Sequence, residues 1–135
     1  MKRQKIAVIG SYAVGMTIMG EHFPKPGETV PGHDFVAMHG GKGSNQAVAA
    51  ARAGAEVVYG TCIGKDTFGR EALEMYQTEK INAEHVRYST TGKSTGVGLI
   101  YVNAEGENEI IIDFAANNEF SREDVDQMMP AIREC

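Results

Sequence analysis

His39-Gly40-Gly41-Lys42-Gly43-Ser44-Asn45-Gln46-Ala47-Val48-Ala49-Ala50-Ala51-Arg52-Ala53-Gly54 is the stretch on which the fold turns. A glycine-rich loop runs straight into a segment, Ser44 to Ala53, with five alanines in ten residues, a strong helix former. Gly54 stands where a helix closes on a left-handed residue. On the N-terminal side, Lys5-Ile6-Ala7-Val8-Ile9-Gly10 is a continuous apolar run rich in β-branched residues, the pattern of a strand buried on both faces. Glu56 to Ile63 repeats that pattern on the C-terminal side. Strand, glycine loop, helix and strand make a βαβ unit with an insertion after the first strand, so the fold class is α/β.

Further out the signals are weaker. Inside the insertion, Val14 to Met19 is a strand candidate. Pro24-Lys25-Pro26-Gly27-Glu28 is a loop, because two prolines fix the backbone and Gly27 permits a turn. Thr29-Val30 and Phe35 to Met38 can be extended around Pro31-Gly32. Asp66 or Thr67 caps a helix whose apolar face is Phe68, Ala72, Met75 and Tyr76. Asn82 to Tyr88 holds a turn and a short strand. Ser94 to Asn103 and Glu109 to Phe114 read as an antiparallel hairpin around a four-residue turn, Ala104 to Glu107. Ser121-Arg122-Glu123-Asp124 opens a helix through Ile132, with its last turn disturbed by Pro130. Only about three core strands result, and the chain stops after a helix where another strand is expected. The expectation is the N-terminal portion of a larger α/β protein, with an open strand edge and an uncovered apolar face that favour association.

Composition narrows the function. The 135 residues carry 13 Lys plus Arg against 18 Asp plus Glu, a net charge of −5 with neutral His, so nucleic acid is not the expected partner. No apolar run reaches membrane-spanning length, and the basic Met1-Lys2-Arg3-Gln4-Lys5 precedes an apolar stretch too short for a signal-peptide core. Two cysteines, Cys62 and Cys135, form neither a disulfide framework nor a metal spacing, which points to a reducing, cytoplasmic setting. Histidines 22, 33, 39 and 85 share no ligand spacing, so no metal site is expected.

The glycine loop carries the functional signal. Gly40, Gly41 and Gly43 remove side chains, so a ligand can approach the main chain. The helix start offers unpaired N–H groups suited to a hydroxylated or anionic ligand. Asn45 can donate to and accept from a hydroxyl, and Lys42 adds a positive charge. A tight turn alone would also account for the glycines. Two nucleotide motifs fail. Gly41-Lys42 is followed by Gly43 rather than Ser or Thr, and the third glycine of a dinucleotide fingerprint is replaced by Gln46. No nucleophile elbow surrounds Ser11. Asp113, in a strand, reads either as a cleft residue or as part of a solvated hairpin face.

Gly40 through Ala55 resembles the N-terminal signature of the ribokinase family, the PfkB carbohydrate kinases. Pro24 to Thr29, Gly64-Lys65-Asp66-Thr67-Phe68-Gly69, Ser94-Thr95-Gly96-Val97 and Asn103 to Asn108 fit the same family in the same order. The resemblance implies a Rossmann-like ribokinase fold, here its N-terminal part with a parallel sheet core, carrying a small antiparallel β-sheet lid. The lid is expected near residues 14–20, 29–38, 94–103 and 108–117, pairing two copies into a homodimer and closing over the sugar. It implies transfer of the ATP γ-phosphoryl group to a sugar hydroxyl. The substrate-binding residues it assigns are Gly40, Gly41, Lys42, Asn45 and Asn117. The catalytic residue, the ATP and Mg²⁺ sites and any monovalent-cation site are expected in a C-terminal half beyond residue 135, so this chain alone is expected to be inactive. A non-catalytic sugar-binding or dimerisation fragment is the alternative, as is a nucleoside or sugar-phosphate kinase of the same family. Ala13 and Gly15 stand where a true ribokinase has Asn and Asp, so the sugar itself stays open.

Overall fold

In the computed structural model, which describes residues 4–135, the elements in chain order are β1 (Lys5–Ile9), β2 (Ala13–Gly20), β3 (Gly32–Gly40), α1 (Lys42–Arg52), β4 (Glu56–Ile63), α2 (Thr67–Thr78), β5 (Asn82–Tyr88), β6 (Gly96–Val102), β7 (Asn108–Asp113), a 3-10 helix (Ala115–Glu119) and α3 (Arg122–Arg133). Met1 to Arg3, where the basic N-terminal stretch begins, lie outside the described residues.

β1, β4 and β5 form a parallel sheet in the order β1-β4-β5. One face buries Val8, Val57 and Tyr59 with Ala47 of α1 and Ala72 and Tyr76 of α2. α1 lies close because the residues it turns inward, Gly43, Ser44 and Ala47, are all small. Gly54 closes α1 at φ 97°, as the sequence requires. The Asp66 carboxylate accepts the Gly69 N–H at 2.9 Å and so starts α2. Tyr12, Tyr59 and Tyr76 are fully buried and pack at tilted and edge-on angles, with centroids 5.1 Å apart for Tyr59–Tyr76 and 6.1 Å for Tyr12–Tyr76. Such pairs add about 0.5–1.5 kcal/mol each beyond the area they bury. On the opposite face, Met128 of α3 and Phe120 fill the space above Gly60.

β2, β3, β6 and β7 form a second sheet in the order β3-β2-β6-β7. It was expected to be antiparallel and is mixed: β2 pairs with β6 in parallel, while β3 and β7 return antiparallel on the outside. The reason is directional. β2 continues from β1 and β6 follows β5, so both leave the same end of the parallel sheet heading the same way. The expected segments also move. Residues 29–31 stay outside β3, where Pro31 offers no N–H to a ladder. β7 ends at Asp113, whose carboxylate accepts the Ala115 N–H at 2.9 Å, and Ala115 takes φ 43°, so 115–119 coil into the 3-10 helix instead of extending. The β6–β7 connection runs from Asn103 to Glu107, one residue longer than expected, closed by Asn103 N–H to Glu107 O at 3.0 Å. α3 passes through Pro130 to Arg133. Its start is a full capping box, Ser121 with Asp124. No helix among the described residues is long and apolar enough to cross a membrane.

Glu119 anchors the loop between the two sheets. Its carboxylate accepts from Ser89 Oγ at 2.7 Å, from the Thr90 N–H at 3.0 Å and from the Thr91 hydroxyl. Arg87 donates to the Glu119 carbonyl and, at 2.6 and 2.8 Å, to Asp124 of α3. The hydroxyls of Thr91 and Ser89 hold the Glu119 carboxyl down at about 2, so its ionised form stabilises the fold at neutral pH. That contribution fades as pH falls from the ordinary value of 4.5 toward 2. Glu119→Gln should lower the urea midpoint at pH 7, and the gap from the parent should narrow steadily by pH 3. Parallel curves across that range would show that the Glu119 charge is immaterial.

Candidate acceptor-binding site

The carboxyl ends of parallel strands are where α/β sheets gather ligands, because loops and helix starts converge there. At that edge β1 ends at Ile9, and Gly10-Ser11-Tyr12 carries the chain into β2. β3 returns to the same place, with Gly40 paired to Ala13, and passes through Gly41 into α1.

The two connections touch main chain to main chain. A Cβ on Gly10 would lie 2.7 Å from Gly43 Cα, and one on Gly43 would lie 2.6 Å from Gly10 Cα. Gly41, at φ 93°, leaves no room for a Cβ against Ser11 O. The Ser44 N–H donates to Ser11 O at 3.1 Å. The Tyr59 hydroxyl, donating toward Gly10 O and Ser11 O at 3.0 and 2.9 Å, braces the turn from beneath. Burial pushes the Tyr59 phenol up to about 12 and raises Tyr12 and Tyr76 as well, so all three remain neutral donors. Tyr76 donates to Ser44 Oγ at 2.9 Å, and Tyr12 OH shares a 2.7 Å hydrogen bond with His39 Nδ1. No side chain caps α1, and the N–H groups of Lys42 and Gly43 find no protein acceptor among the described residues. A rigid helix start is thus left with donors to spare.

Of the residues singled out from the sequence, Gly40, Gly41 and Lys42 form one continuous edge. Gly40, Ala13 and Gly96 are cross-strand neighbours. Asn45 sits in the exposed first turn of α1, beside His39, Val48 and Met75 in a groove between α1 and α2. Asn117 stands at the other end of the row, where a Cβ on Gly96 would come within 2.5 Å of its Nδ2. Its amide is fully engaged. Oδ1 accepts the Tyr12 N–H at 2.8 Å and the Thr61 hydroxyl at 3.4 Å, while Nδ2 donates to Tyr12 O at 2.8 Å and Phe114 O at 2.7 Å. Asn117 therefore clamps the start of β2 to the 3-10 helix. Sequence reasoning assigns no role to Tyr12 and names Thr95 only within a family stretch. Thr95, fully buried, accepts the Gly64 N–H at 2.9 Å and donates to Asp66 Oδ1 at 2.7 Å, tying the loop after β4 to the entry of β6. Nothing in periodicity marks a lone Thr in a loop as buried.

A family model described as pfkB family carbohydrate kinase matches residues 3–134. The chain belongs to this family. Ribokinase from Haemophilus influenzae is 38% identical over 119 residues, 88% of this chain and 39% of that protein. The solved structure of ribokinase from Giardia lamblia aligns at a TM-score of 0.86 and 36% identity, over 96% of this chain and 38% of that one. Arabidopsis thaliana ribokinase complexed with ribose and ATP aligns at 0.79 and 26% identity, over 93% and 42%. This pfkB chain thus spans about two-fifths of the length of the relatives it matches.

Replacing Asn117 with Ala should cost about 1–3 kcal/mol in urea unfolding, because the Tyr12 peptide loses both its partners. Amide exchange at Tyr12 should accelerate in the same variant. Unchanged exchange there would show that the clamp is dispensable.

Proposed function

We propose that this chain supplies the acceptor-binding and lid portion of an ATP-dependent carbohydrate kinase that moves the γ-phosphoryl group of ATP to a sugar hydroxyl. The observation that carries the reading is the uncapped α1 start, held against the β1–β2 turn by contact between Gly10 and Gly43, within a chain of the pfkB family. The free N–H group at the exposed Lys42 can hold a sugar oxygen. Asn45 makes no side-chain hydrogen bond to another described residue, so its amide is available both to donate and to accept. Gly40 and Gly41 keep the edge bare, and Lys42 supplies positive charge beside it. In this proposal Asn117 serves the site indirectly, by fixing Tyr12 and so the start of β2. Holding the acceptor in one pose is what phosphoryl transfer asks of this portion, since that chemistry is mostly positioning and charge stabilisation.

ATP, Mg²⁺ and any monovalent cation are assigned to the region beyond residue 135, and no residue of this chain is assigned to them. The mixed sheet serves as the lid. One of its faces, carrying Met16, Ile18, Phe35, Leu99, Tyr101 and Ile111, is an apolar trough of about 410 Å³, with Phe35 64% and Ile111 76% exposed. A second copy of the chain is the proposed cover for that face.

The full-length protein should phosphorylate a sugar with ATP and Mg²⁺, and residues 1–135 alone should not. Turnover by the short chain would overturn the division of labour. Asn45→Ala in the full-length protein should weaken sugar binding about 5- to 150-fold, the effect of leaving one polar partner unmatched. An unchanged dissociation constant in calorimetry would remove Asn45 from the site.

A further inference from the structure

Tyr12, Tyr59 and Tyr76 form the core beneath the α1 start, and each is fully buried. Phenylalanine would fill almost the same volume without taking a hydroxyl out of water, so each phenol is to be explained by what its oxygen meets. The rings lie together, yet the hydroxyls diverge to particular places. Tyr59, from β4, donates to Gly10 O and Ser11 O. Tyr76, from α2, donates to Ser44 Oγ at 2.9 Å. Tyr12 meets His39 Nδ1, next to Gly40. All of these partners lie on the β1–β2 turn, the end of β3 or the first turn of α1, the segments that build the proposed acceptor edge.

Packing alone does not fix how α1 is turned. Gly10 and Gly43 meet main chain to main chain, which sets how close the helix lies but provides no interlocking side chains to stop it rotating about its axis. The inward residues Gly43, Ser44 and Ala47 are small and offer no ridges, and no side chain caps the helix. Ser44 supplies what is missing. It is 1% exposed, its N–H donates to Ser11 O at 3.1 Å, and its Oγ accepts from Tyr76. Ser11 O in turn is held by the Tyr59 hydroxyl at 2.9 Å. One residue is thus gripped at two atoms, from β4 through the turn and from α2 directly. A helix advances about 100° per residue, so a grip at residue 44 fixes the direction of its neighbours, the Lys42 N–H and the exposed Asn45 side chain.

We propose that Tyr59 and Tyr76 are positioning residues for acceptor binding: their hydroxyls, acting through Ser11 O and Ser44 Oγ, set the rotation of the first turn of α1 and so aim the Lys42 N–H and the Asn45 amide at the acceptor. Neither phenol touches the acceptor, because both are buried beneath the edge. The proposal rests on the kinase reading and deepens it by naming what holds its binding groups in place. ATP is assigned to the region beyond residue 135, so the loss of either hydroxyl bears on the acceptor and leaves the nucleotide alone.

The test uses the full-length protein with ATP and Mg²⁺, first against ribose, 2-deoxyribose, fructose and a purine ribonucleoside to select the best acceptor. Tyr59→Phe and Tyr76→Phe keep the rings and remove the hydroxyls. Each should raise the acceptor KM about fivefold or more, with kcat and the ATP KM within about twofold of the parent. Ser44→Ala breaks the Tyr76 bond from the helix side and should raise the acceptor KM in the same way. Combined with Tyr76→Phe it should be no worse than the more severe single variant, because both remove one bond. A lower urea midpoint with the acceptor KM unmoved overturns the proposal, as does an equal rise in both KM values or full additivity of Ser44→Ala and Tyr76→Phe, and each leaves the kinase reading standing. Should the tyrosine variants fail to fold, Ser44→Ala decides, and an unmoved acceptor KM there overturns the proposal. Phosphorylation of none of the four acceptors by the parent overturns both.

Discussion

Everything at the functional edge depends on two stretches of main chain meeting without side chains between them. Gly10 ends the first strand and Gly43 lies in the first turn of α1, and each occupies the space a Cβ of the other would need. That contact brings the helix start to the carboxyl end of β1 and lets Ser44 N–H reach Ser11 O. It also explains why α1 has no side-chain cap. The β1–β2 turn takes one amide, and those of Lys42 and Gly43 are left over. Donor surplus and rigidity thus have one origin, since the packing that fixes the helix also prevents its start from being satisfied internally.

A second constraint couples the two sheets. β2 and β6 are extensions of strands in the parallel sheet, and each crosses over through a pinned joint. Asn117 holds the β2 joint at Tyr12, while Asp66 and Thr95 hold the β6 joint. Both Asp66 and Asn117 also serve local structure, the cap of α2 and the turn at Phe114. Side chains shared in this way transmit position: a shift of the mixed sheet must disturb a helix cap or the 3-10 helix. The joints contain few residues, so any displacement of the mixed sheet relative to the parallel sheet is concentrated there.

Much of this was legible in the residues. The βαβ core followed from apolar runs and the alanine-rich helix because these are local patterns with one physical solution. Gly54 and Asp66 followed from cap chemistry. The direction of β6 against β2 was not legible, since pairing between strands some 80 residues apart leaves no trace in either strand's own alternation. The end of β7 was hidden for a different reason: Ile110 to Phe114 is a good strand sequence, overridden by Asp113 bonding to the Ala115 amide. Asn117 was picked out by position in a motif, and the structure gives its amide four protein contacts. An asparagine's partners cannot be read from its neighbours in sequence.

The glycines make the final distinction, because the residue type alone conflates two causes. Where a Cβ would strike backbone, as at Gly10, Gly41 and Gly43, glycine is the condition for the fold to close, and a bare edge is its by-product. Where a Cβ would meet open space in an ordinary strand, as at Gly98, the fold gains nothing from glycine and forgoes β-propensity and packing. The sequence counts both kinds alike and draws attention to the cluster at 40–43. The structure separates them: the cluster at 40–43 is largely required by chain packing, whereas at Gly98, paired with Gly15, no contact among the described residues demands a glycine.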